Sequence, residues 1–151
     1  MLLRGKPLAH FCDAYPPEPD EEVIPRSAFA AYVANGTFET CEFVELLEQQ
    51  LRHAPQVRGT IHVFYARKPE LWRIDAYIRM KAEGDKTGWS ERLERLQGKL
   101  LGYSDSENDA HIEHLLSAPH AGTFPWLRRL MQERAKGLRQ VKHAFERTRR
   151  E

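Results

Sequence analysis

Cysteine is scarce in this 151-residue chain: only Cys12 and Cys41 occur, with no CxxC spacing. That excludes a paired-thiolate zinc site and the dense disulfide framework of a small secreted domain, and both thiols are expected to be reduced and buried. Long apolar runs are missing as well. The opening "MLLRGKPLAHF" has a two-leucine run before Arg4 and Lys6, too short for a signal-peptide core, and no window approaches the roughly 18 apolar residues of a membrane span. A cytoplasmic protein without a membrane partner is therefore expected. Glycine-rich phosphate loops, GxSxG elbows and dinucleotide fingerprints are likewise absent, which removes the commonest sequence warrants for an enzyme.

Neither sign of charge dominates. Lysine and arginine total 23 against 22 acidic residues, and charged residues make up 30% beside 41% hydrophobic. This composition fits one globular domain over residues 1–151 and argues against disorder. The balance nevertheless conceals a gradient. Residues 1–50 carry a net −6, residues 51–125 a net +1 and residues 126–151 a net +6.

Periodicity predicts a mostly helical α+β domain in which about six helices cover a small sheet of two strands. The strands are "PLAHFCDAY" (7–15) and "VRGTIHVFYA" (57–66); the second alternates Val57, Ile61, Val63 and Tyr65 against Arg58, Thr60 and His62. Helices are expected from Pro25 to an Asn35-Gly36 exit and from Thr37 to Pro55, the latter on the spacing of Phe43, Val44, Leu47 and Leu51. Three more run from Pro69 to Gly84, from Ser90 to Gly102 and from Ser104 through Leu116. The sixth is a long basic helix over about 124–149. Two strands form a marginal sheet, so dimerisation through an edge is also expected, with Trp72, off the apolar line of its helix, as an interface residue.

Three stretches carry candidate chemistry. In "DSENDAHIEHLL" (105–116), Glu107, His111 and His114 share one helix side and could hold a divalent metal ion, with His120 nearby in sequence. However, Ser104 and Glu107 also have capping-box spacing, and the first-turn acids suit the helix dipole, so a capped, solvated helix is the simpler account and no cofactor is expected. Cys12 would need a base such as His62 brought beside it to act as a nucleophile. The segment 65–81 mixes basic residues with Tyr65, Trp72 and Tyr77, of which the two tyrosines are assigned to the core.

The C-terminal helix is the strongest functional feature. At 100° per residue Leu127, Met131, Leu138, Val141 and Phe145 fall within roughly 40° of one direction, leaving Arg128, Arg129, Lys136, Arg139, Arg147 and Arg150 outside that seam. The expected function is that of a small non-enzymatic binding or regulatory protein whose basic helix engages an anionic partner, nucleic acid or an acidic protein. A metal-dependent enzyme or sensor using His111 and His114, and a structural subunit of a homo-oligomer, are the alternatives.

Overall fold

A computed structural model describes residues 5–148, with side chains described as far as Arg139. Its class is α+β. Five α-helices accompany one three-stranded antiparallel sheet of order β1-β3-β2, formed by β1 (Leu8–Tyr15), β2 (Glu39–Leu46) and β3 (Gly59–Ala66). The chain divides into two compact units.

The first unit holds residues up to Arg79 together with Leu100–Gly102. Strand β3 lies between the other two, Phe11 and Glu42 both standing opposite Val63 and Cys12 and Phe43 both opposite His62. Its central position explains why β3 is buried on both faces and why His62, which alternation assigns to a polar side, is covered. One face packs Ile61, Val63 and Tyr65 with Phe29 of α1 (Arg26–Ala34), whose ring stacks on Tyr65 at 3.9 Å. On the other face, Phe64 meets Tyr77 of α2 (Trp72–Thr87) edge-on at 5.2 Å. Gly36, with φ of +75°, ends α1 as its Asn-Gly exit predicts.

The segment 37–55 is not a helix. Residues Glu39–Leu46 form β2 instead, which gives three strands rather than two and five helices rather than six. Their helical spacing is coincidental: Thr40, Phe43 and Val44 favour a pleated surface, and the segment pairs along the whole of β3. The cysteines also differ from expectation. Both are exposed, because they sit on strands at the two edges of the sheet.

The second unit comprises Met80–Lys99 and the chain from Tyr103 onward. Its helices are the last part of α2, most of α3 (Glu91–Leu100), α4 (Asp105–Ser117) and α5 (Pro125–Thr148). Helix α2 runs beyond Gly84, which lies against the Trp89 ring, and stops at Gly88, where φ is +84°. Met80, Leu93, Ile112, Ala121, Leu127 and Leu130 are the unit's buried apolar side chains among the described residues. Helix α4 starts as its sequence predicts: Ser104 Oγ accepts the Glu107 N–H at 3.2 Å, and the Glu107 carboxylate accepts the Ser104 N–H at 2.7 Å.

Helix α5 departs from its expected seam. Leu127 and Leu130 are buried, but every described residue from Met131 to Arg139 is exposed, including Met131 (43%) and Leu138 (73%). Among the described residues of α5, burial ends at Leu130, and the apolar spacing continues beyond it without a described cover. Val141 and Phe145 lie outside the described side chains.

Candidate functional site

The basic helix is accessible where it is described. Arg128, Arg129, Lys136 and Arg139 are all exposed; the side chain of Arg147 and the whole of Arg150 lie outside the described residues. Arg128, Lys136 and Arg139 line one shallow surface with Met131 and Ala135, so cations and apolar side chains share this side of α5 instead of opposing one another. Among the described residues Arg128, Arg129 and Lys136 make no ion pair, and Arg139 touches only the Ala135 carbonyl of its own helix, at 3.4 Å. Elsewhere cations are commonly matched: Arg26 with Glu42, Lys68 with Glu39, Arg92 with Glu83, and Arg95 with both Glu91 and Asp109. Those two carboxylates raise the Arg95 guanidinium's pKa, Asp109 first. On α5, Arg134 is the matched residue, at 2.5 Å from Glu113.

The three residues of the metal reading have other partners or none in common. Glu107 closes the capping box, His111 Nε2 lies 2.8 Å from Glu94 Oε1, and His114 is exposed in the last turn of α4. His120 follows in an exposed turn. Among the described residues no group of three or more His, Cys, Asp or Glu is arranged to hold a metal ion. Trp72 is 55% exposed, with the Arg73 guanidinium 4.7 Å from its ring centroid. Tyr65 and Tyr77 are buried, and burial raises the Tyr65 hydroxyl's pKa.

A cluster that sequence reasoning missed lies on the α2 side of the sheet. The Tyr77 hydroxyl is 3.0 Å from His10 Nδ1, His10 Nε2 is 3.0 Å from His62 Nδ1, and His62 Nε2 is 3.3 Å from Glu45 Oε2. Four side chains from three strands and a helix therefore form one continuous hydrogen-bonded chain. Its direction follows from chemistry. An ionised carboxylate only accepts, so His62 Nε2 must donate; with neutral rings, His62 Nδ1 then accepts from His10 Nε2–H, and His10 Nδ1 accepts from the tyrosine. Phe43 stacks on His62 at 4.9 Å and Phe64 on His10 at 4.4 Å, fixing both rings. Cys12 is the register partner of His62 but is exposed beside it, with no bond to the ring.

The second unit contains a mostly apolar groove of about 560 Å³. Trp89, Leu115, Phe124, Trp126 and Leu127 supply its walls, and Glu94 and Arg129 are its charged residues. Two of the chain's three tryptophans thus face one space.

Comparison with known protein families, curated proteins and solved structures finds no match to this chain. No described helix is long and apolar enough to cross a membrane.

Proposed function

We propose that the protein is a non-enzymatic binding protein whose α5 engages an anionic macromolecule through Arg128, Arg129, Lys136 and Arg139, with Arg147 and Arg150 continuing the basic sequence. The observation that carries this is the clustering on one helix of four exposed cations without an acidic partner among the described residues, where the fifth described cation of the helix, Arg134, is matched by Glu113. An exposed cation left unmatched keeps its field available to an incoming anion. Nucleic acid is the partner to test first, since regularly spaced phosphates suit a helix of 24 residues, about 36 Å long at 1.5 Å per residue.

Fluorescence anisotropy with labelled duplex DNA and with RNA at low salt tests the proposal. Binding that Arg128→Glu, Lys136→Glu and Arg139→Glu together abolish supports it. Absence of binding to either nucleic acid overturns the nucleic-acid form and directs the search to an acidic protein.

The exposed Leu46 (67%) and Val44 (38%) on the β2 edge favour a second reading, a homo-oligomer joined at this edge. A mass that rises with concentration in light scattering, and that falls on Leu46→Lys, supports it; a constant mass near 17.6 kDa opposes it.

A further inference from the structure

We infer that the groove beside the start of α5 binds a small carboxylic acid with a planar apolar body. Its volume, about 560 Å³, lies within the range of roughly 300–1,000 Å³ that accommodates small ligands. Its walls carry two indoles and a phenyl ring, and Phe124 is 52% exposed, a large aromatic surface left in contact with water. Flat aromatic faces favour a flat apolar occupant.

The charges decide the polar end. Glu94 uses both carboxylate oxygens: Oε2 accepts the Trp89 Nε1–H at 2.5 Å, and Oε1 lies 2.8 Å from His111 Nε2. It is thereby held by its own neighbours. Arg129, on the same groove, makes no ion pair among the described residues. Arg129 is therefore the charged group of this space that no described side chain engages. One guanidinium matches one carboxylate by a two-point fork. A single acid group on an aromatic body fits both the walls and the charge.

The groove shares Arg129 with the surface proposed for macromolecular anions but does not rest on that proposal. The probes are 2-naphthoate and its neutral analogue 2-naphthamide, titrated into the full chain by calorimetry and by saturation-transfer NMR. The acid is expected to bind about tenfold or more tightly than the amide, the difference being the charge-assisted contact. Arg129→Gln should reduce the acid to the level of the amide, and Phe124→Ala, at an exposed position, should weaken both. Arg139→Glu, outside the groove, should leave naphthoate binding unchanged even where it impairs DNA binding, so the two proposals fail separately. Equal affinity for acid and amide, an Arg129→Gln variant that binds naphthoate as well as wild type, or no saturable binding at millimolar probe overturns the inference. Circular dichroism of each variant shows that the fold is retained.

Discussion

His10 Nε2 and His62 Nδ1 face each other at 3.0 Å across neighbouring strands, in the middle of a chain that runs from the Tyr77 hydroxyl to the Glu45 carboxylate. With both rings neutral every link has one donor and one acceptor. ¹⁵N NMR should then show the proton of each ring on Nε2. Uptake of one further proton by His62 would make both its nitrogens donors, turn His10 Nε2 into an acceptor and reverse the chain as far as the tyrosine. His62→Phe keeps a ring between Phe43 and the His10 side but removes the hydrogen bonds of His62 to His10 Nε2 and Glu45 Oε2, and should cost about 1–3 kcal/mol in urea unfolding. A loss within experimental error would show that the chain contributes nothing to stability.

Ser104→Ala should cost about 1 kcal/mol, because it removes the acceptor of the Glu107 N–H at the start of α4. His111→Ala should change stability less, since its contact with Glu94 is at an exposed position. Denaturant midpoints of the two variants give the comparison directly.

Two glycines inside helices should respond oppositely to alanine. At Gly98 a new Cβ overlaps the buried Asn108 amide oxygen, so Gly98→Ala should destabilise by about 1–3 kcal/mol despite its better helix propensity. At Gly137 no described atom outside its own helix turn lies within 4 Å, and Gly137→Ala should stabilise α5 by up to about 1 kcal/mol. Equal effects at both positions would contradict the packing of α3 on α4.

The Glu22 carboxylate accepts the Ser27 N–H at 2.6 Å and the Ser27 hydroxyl at 2.7 Å, and these bonds hold its pKa below the ordinary glutamate range. Ionisation is thus favoured in the folded state. The stabilisation is present above the unfolded value, about 4.3, and is lost as pH falls through the lower folded value. Wild type should accordingly be more stable than Glu22→Gln at neutral pH, and the two melting curves should converge in acid. A difference independent of pH would remove Glu22 as an ionised cap of α1.

Legibility in the sequence followed range. The capping box, the Asn35-Gly36 exit and the core tyrosines depend on near neighbours or on simple alternation, and were readable. Strand β2 was not, because its apolar positions fit a helical period and its pairing with β3 is a long-range choice. The histidine chain joins residues 52 and 67 positions apart and exists only through strand register and the docking of Tyr77. Exposure of Met131 and Leu138 was equally hidden: a helical pattern shows which residues share a side, not whether anything covers it.

The salt dependence of duplex binding tests the proposed role of α5 most directly. Log affinity should fall linearly with log salt, at a slope near 0.9 per phosphate contact for duplex DNA. Replacing Arg128, Lys136 and Arg139 with glutamate should lower the magnitude of that slope by at least about 2.7 if each makes one contact, with an unchanged circular dichroism spectrum. A triple variant that keeps both wild-type affinity and wild-type slope would contradict the assignment of anion binding to this helix.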